Sequence, residues 1–259
     1  MSRGTASVTP RSVWFGNPVY PDHWGTWSSQ RIDYVRVGIP ETNPPAGWQN
    51  LTPAGWVNTT TPTVTIQVRD SDTGLAVNTA QYRYSTDGGS TWHAWRNASC
   101  SGGDGSTAHQ TITAAAVPFN QVSPTANRIQ FRIRDLAGNW GESPQYTIPI
   151  ETTPPSGSIT IASGAEWTNS RAVTLTLPAT DPTPGSGVAQ MRIWNDGESE
   201  PTTWEPFSTS RTWTLRNEQG QRQVFVRSRD AAGNASTSPA SDTITLDTIT
   251  PTGSILINN

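Results

Sequence analysis

The phrase Arg134-Asp135-Leu136-Ala137-Gly138-Asn139 returns, 95 residues later, as Arg229-Asp230-Ala231-Ala232-Gly233-Asn234. Each copy closes a strand-like run. Each is followed by a short Ser/Thr/Pro stretch, a final strand and a Thr-Pro linker. A phrase that recurs with its surroundings marks a repeated structural unit, here of about 100 residues. Arrays of such units commonly hold other domains apart, so the repeat points away from an active site.

Working outward, Gly55-Trp56-Val57-Asn58 aligns with Glu166-Trp167-Thr168-Asn169, and Thr63–Val68 with Ala172–Leu177. The second pair alternates apolar and polar residues, the mark of a strand with one buried face. Ala80-Gln81-Tyr82-Arg83-Tyr84 aligns with Ala189-Gln190-Met191-Arg192-Ile193; Tyr82, Tyr84, Met191 and Ile193 should point inward and both arginines outward. Asp87-Gly88 and Asp196-Gly197 then signal hairpin turns. The return strands are expected to carry Trp92-His93-Ala94-Trp95 and Trp204-Glu205-Pro206-Phe207. Later runs are Gln110–Thr113, Arg128–Arg134 and Tyr146–Ile148, against Arg211–Leu215, Arg222–Arg227 and Asp242–Leu246. About seven short strands per unit predict an all-β chain of tandem immunoglobulin-like β-sandwiches.

The linker Thr152-Thr153-Pro154-Pro155 corresponds to Thr248-Ile249-Thr250-Pro251. Proline fixes φ and removes a donor, so these joints should be short and stiff. The expected organisation is an upstream β remnant at 1–44, one repeat at 45–152, a second at 153–249 and the opening of a third at 250–259. A reading frame that stops inside a first strand is expected to be cut from a longer protein.

Composition narrows the function. The net charge is −3, all 17 basic residues are arginine, and they are spread along strands, so a nucleic-acid partner is not expected. No apolar run approaches 18 residues, so no membrane-spanning helix is expected. The opening residues show no apolar core of a secretory leader. Cys100 is the only cysteine, which excludes an intrachain disulfide and the usual multi-cysteine zinc sites. Its Ser/Gly neighbours suggest an unpaired thiol in an exposed loop.

Ser186-Gly187-Val188-Ala189-Gln190-Met191-Arg192, Asn195-Asp196-Gly197, the second copy of the opening phrase and the Thr-Pro joint together resemble the tandem Ig-like repeats of bacterial secreted and cell-surface proteins. Ala80–Trp92 looks like a variant of the same type. The resemblance covers residues 45–259. It implies an extracellular or surface location, a monomer, and a place beside secreted hydrolases such as subtilisin-like peptidases or glycoside hydrolases, or within surface stalks. Trp27-Ser28-Ser29-Gln30-Arg31-Ile32-Asp33-Tyr34-Val35-Arg36-Val37 is similar to the last strand of a concanavalin-like jelly roll.

Asp135 and Asp230 invite a calcium reading, because acidic residues at strand ends can ligate a hard cation. The turn reading is preferred: aspartate accepts backbone N–H bonds, while Gly138/Asn139 and Gly233/Asn234 suit positive φ. Asp70, Asp72 and Asp181 read as similar turns, so no metal and no cofactor is expected. His23, His93 and His109 are scattered, with no nucleophile motif, and no catalytic residue is assigned. The ligand-binding candidates are Trp92, Trp95, Trp194 and Trp204, whose rings could stack on sugar, although packing takes precedence as an explanation. Trp56 and Trp167 should cover the joint to the preceding element. The first reading is therefore a non-catalytic spacer or adhesion segment contacting neighbouring domains. The alternative is a carbohydrate-binding accessory region for cell-surface or extracellular polysaccharide. The chain as an enzyme in its own right is the third and least supported.

Overall fold

The structure is a computed structural model and describes residues 41–121, 124–253 and 255. The expectations for 1–44 and 250–259 therefore lie largely outside the described residues, including the jelly-roll-like stretch.

Alternation along the chain builds the first sandwich. Its strands are β1 (Ala46–Thr52), β2 (Val64–Arg69), β3 (Leu75–Ser85), β4 (Arg96–Asn97), β5 (Ser99–Cys100), β6 (Gln110–Ala114), β7 (Arg128–Asp135), β8 (Trp140–Glu142) and β9 (Tyr146–Thr147). One sheet has the order β1-β2-β6-β5 and the other β4-β3-β7-β8, with β9 also on β7. Val64, Ile66 and Val68 face Ile129, Phe131 and Ile133 across the core, all fully buried. Tyr82 and Tyr84 turn inward as expected. With no disulfide between the sheets, this apolar interior holds them together.

The second sandwich repeats the plan with β10 (Ser156–Gly157), β11 (Thr160–Ile161), β12 (Trp167–Thr168), β13 (Ala172–Thr176), β14 (Ala179–Thr180), β15 (Val188–Asn195), β16 (Glu205–Pro206), β17 (Ser210–Thr214), β18 (Gly220–Asp230) and β19 (Ala240–Leu246). The order β11-β13-β17 stands against β12-β19-β18-β15-β16, with β10 and β14 as a separate ribbon. Leu175, Met191, Val224, Val226 and Ile244 form a core distinct from the first. The alignment of Trp56 with Trp167 recurs in the pairing. Val57 bridges Ile150 in parallel, and Thr168 pairs with Leu246 in parallel. The chain is a tandem of immunoglobulin-like sandwiches.

Three local expectations differ from the structure. The first strand, β1, lies upstream of the first one expected. Gly47 and Asn50 sit at positive φ, the register shifts twice, and burial along it does not alternate, so no period-2 signal exists to be read. The Asp-Gly turns are present but do not close tight hairpins. The Asp87 carboxylate accepts from the Thr91 N–H at 2.9 Å and from the Thr91 and Ser85 hydroxyls at 2.6 and 2.7 Å. That closed loop delays the return to β4, leaving Trp92 and Trp95 ahead of the paired residues. Finally, Trp167 does not cover a joint: it is 64% exposed, on a two-residue strand at the edge of its sheet.

Because the cores are separate, damage to one should leave the other standing. Phe131→Ala is expected to cost the first sandwich about 3–5 kcal/mol. Denaturant unfolding followed by fluorescence should then split into two transitions, the later one at the wild-type midpoint. A single transition shifted as a whole would show that the cores unfold as one.

Candidate functional site

The repeated phrase forms the same turn twice. Gly138 and Gly233 adopt φ of 98° and 100°, a region L-residues avoid, and let the chain reverse immediately after the aspartate. Asp135 accepts from the Asn139 N–H and side-chain amide, both at 2.8 Å. Asp230 accepts from the N–H groups of Gly233 and Asn234 at 2.7 and 2.8 Å, and from the Asn234 side-chain amide at 2.8 Å. The turn role expected for both aspartates is present. The asparagines do something more: neither takes positive φ, and each amide bridges the turn's aspartate and the chain entering its own sandwich.

There the amide meets a glutamate. Asn234 Nδ2 donates to the Glu151 carbonyl at 3.0 Å, and Asn139 Nδ2 to the Glu41 carbonyl at 3.1 Å. Glu151 leaves the last edge of the first sandwich, where its N–H donates to Val57 O at 2.9 Å. Its side chain reaches loops of the second: Oε2 accepts from the Ser186 N–H at 3.1 Å and hydroxyl at 2.8 Å. Glu151 thus belongs to one sandwich by its backbone N–H and to the next by its carbonyl and carboxylate. At the first sandwich, Gly141 has no side chain for a simple reason: a Cβ there would lie 2.2 Å from the Pro45 carbonyl oxygen, blocking the incoming segment.

The clasp gathers charge. Carboxylate oxygens of Glu151, Asp181 and Asp230 all lie within 4.8 Å of one another. Glu151 and Asp230 are buried, and Asp181 Oδ1 is a buried oxygen with no hydrogen-bond partner, although its Oδ2 accepts from the Gly187 N–H at 2.7 Å. Burial, and then the Asp230 charge working against the Ser186 hydrogen bonds, pushes the Glu151 carboxyl above the usual range. Glu41, facing Asp135 and Asp70, is raised in the same sense, chiefly by desolvation. Asp135 is held low: its burial is outweighed by the Asn139 hydrogen bonds. Three carboxylates from three segments are an all-oxygen donor set of the type a hard divalent cation takes. The sequence reading treated Asp181 and Asp230 as separate turns and passed over both glutamates. Their signal was there: Glu41-Thr42-Asn43-Pro44-Pro45 returns as Glu151-Thr152-Thr153-Pro154-Pro155.

The tryptophan candidates are placed differently. Trp194 is buried, its ring stacked on Phe225 at 5.4 Å, so it offers sugar no open face. Packing across neighbouring strands accounts for that, since Trp194 and Phe225 are register partners. Trp92, Trp95 and Trp204 are half-buried under arginines. Arg83 stands 4.8 Å from the Trp92 ring centre and 4.7 Å from that of Trp95, while Arg132 lies 4.1 Å from Trp95. Arg192 and Arg229 stand over Trp204 at 4.1 and 4.5 Å. His93 stacks on Tyr84 at 4.2 Å. Cys100 lies in β5 rather than in a loop, and burial, then the Asp104 charge, raises its thiol pKa to about 11. Such a thiol is almost wholly protonated at neutral pH and a poor nucleophile.

No family model and no curated protein matches the chain. Among solved structures it is similar to the fibronectin(III)-like modules of Clostridium thermocellum CbhA, at 13% identity and a TM-score of 0.40, over 76% of this chain and 93% of that one. It is also similar to a run of titin domains, at 13% identity and 0.43, over 79% and 67%. The full ectodomain of mouse nectin-like molecule 4 matches at 15% identity and 0.28, over 79% and 63%. The assignment of the fold rests on the strand order itself.

A carboxyl whose pKa is raised on folding holds its proton more tightly folded than unfolded. Its stabilising contribution is therefore present at low pH and lost as pH rises above 4.5 through the folded value. Glu151→Gln is expected to flatten that fall in thermal melts. Added calcium should raise the wild-type midpoint at neutral pH and scarcely move that of the variant. Asp230→Ala, which orphans the turn, should cost about 3 kcal/mol in denaturant titrations. A loss below about 0.5 kcal/mol would show that the turn does not depend on the carboxylate.

Proposed function

We propose that this chain is a non-catalytic spacer, a segment of a larger secreted or surface-exposed bacterial protein whose stacked sandwiches hold neighbouring domains apart. The supporting observation is the clasp: Glu151 leaves one sandwich and is held by Ser186 and Asn234 of the next. A flexible tether would need no such contacts. The two prolines that follow Glu151 restrict the joint further, and Pro155 is itself buried. The bond from Asn139 to the Glu41 carbonyl repeats that from Asn234 to the Glu151 carbonyl where the chain enters the first sandwich. No described helix is long and apolar enough to cross a membrane.

Small-angle scattering of the full chain tests this reading. A compact globule of this length would have a radius of gyration of about 18 Å. The spacer should exceed that clearly, and Asn234→Ala should broaden its distance distribution without unfolding either sandwich. A value near 18 Å, or an unchanged distribution in the variant, would remove the basis for a stiff spacer.

A further inference from the structure

The outer face of the β4-β3-β7-β8 sheet in the first sandwich carries a line of cations that the spacer reading does not use. Along β3 and β7, Tyr82, Tyr84, Ile129, Phe131 and Ile133 point into the core, so the alternate residues Arg83, Arg128, Arg132 and Arg134 point away from it. Indoles separate them. Arg83 stands over Trp92 and Trp95, Arg132 over Trp95 and Trp140, and Arg134 over Trp140 at 4.6 Å. Neutral amides hold two of the guanidinium groups in plane. Gln130 Oε1 accepts from Arg83 at 3.0 and 2.6 Å, and Gln81 Oε1 from Arg132 at 2.8 Å.

None of these arginines makes a close ion pair among the described residues. All the ion pairs among the described residues lie in the second sandwich, where Arg192 and Arg227 share Glu200 and Arg222 pairs with Asp196 and Glu218. On the first sandwich's face, the carboxylate of these strands outside the Asp135 turn is Glu142. It accepts from Gln130 at 3.4 Å and stands opposite Arg132 in the β7–β8 register, where its charge offsets one of the four guanidinium groups without a close ion pair. The equivalent sheet thus carries ion pairs in one repeat, where only Arg229 is held by an amide, that of Gln190, and none in the other.

We propose that this face binds an acidic polysaccharide whose sugars carry carboxylates. Each guanidinium keeps N–H groups beyond those held by glutamine, in a fork that suits a carboxylate. Arg132 and Arg134 repeat about 7 Å apart along β7, a regular spacing for a regularly charged polymer. Other anionic partners fit less well. A single-stranded nucleic acid needs open aromatic faces for its bases, and here guanidinium groups lie over the rings. An acidic peptide is usually gripped by apolar pockets or by a free strand edge, whereas the line crosses a sheet face and includes none of the exposed large aliphatic side chains. The proposal does not depend on the spacer reading, and its test does not use molecular shape.

The test is affinity electrophoresis of the full chain in gels containing polygalacturonate, neutral dextran or poly-glutamate, at low and high salt. Retardation is expected in polygalacturonate alone and should weaken with salt. Arg134→Gln, an exposed position at the end of the line, should bind roughly tenfold more weakly with an unchanged melting midpoint. Arg227→Gln in the second sandwich should leave binding unchanged. Glu142→Gln should bind several-fold more tightly, an outcome that unfolding could not produce. No retardation by polygalacturonate, equal retardation by poly-glutamate, or indifference to Arg134→Gln would each overturn the proposal.

Discussion

A buried aspartate at the end of a long strand, Asp135 in one sandwich and Asp230 in the other, is the constraint from which the rest of each repeat follows. Its oxygens accept the backbone and amide N–H groups of the asparagine four residues on, so the turn closes around a carboxylate. Hydrogen bonds to a charged acceptor are worth more than neutral ones, and a buried carboxylate must have them. With the asparagine fixed, its amide has a free hydrogen to offer, and the incoming chain at Glu41 or Glu151 takes it. One local turn thereby sets the end of the strand and the docking of the next unit.

The same local economy appears on the sheet faces. Each sandwich has an apolar interior and no disulfide, and the outer face of one sheet is tied by arginines stacked on tryptophans. Cation–π contacts of this kind are individually modest. In series they order long side chains that would otherwise be mobile. The second repeat reinforces its stack with Glu200 as well as the amide of Gln190, the first with the amides of Gln81 and Gln130 alone. That difference in partner, acid against amide, leaves the first repeat's face electropositive on a chain whose net charge is −3. Apart from Glu142 on that face, Glu41, Asp70 and Asp135 group where the chain enters the sandwich.

Much of this could be read from local pattern, and what escaped was local pattern of a different sort. The strands around Ile66, Phe131, Met191 and Val224 announce themselves by period-2 alternation. β1 does not, because two residues at positive φ and two register shifts erase its period. The tryptophans near the Asp-Gly turns were legible as a cluster. Whether their faces were open was not, since a side chain's parity says only that it leaves the core. Trp194 leaves it and is still buried, under Phe225. Trp167 shows the opposite error, an aromatic assigned to a joint that it does not touch.

By itself the sequence determined the architecture: alternation, Gly-containing turns and a repeated phrase are properties of neighbouring residues, and neighbours suffice to specify strands and sandwich repeats. Only the tertiary structure decided that Glu151, Asp181 and Asp230 converge and that Arg83 and Arg132 share Trp95. These groups are far apart along the chain and meet only because strand pairing brings distant loops to one end of a sandwich and distant strands side by side. Charge and aromatic chemistry act through space, and a one-dimensional pattern carries no distances.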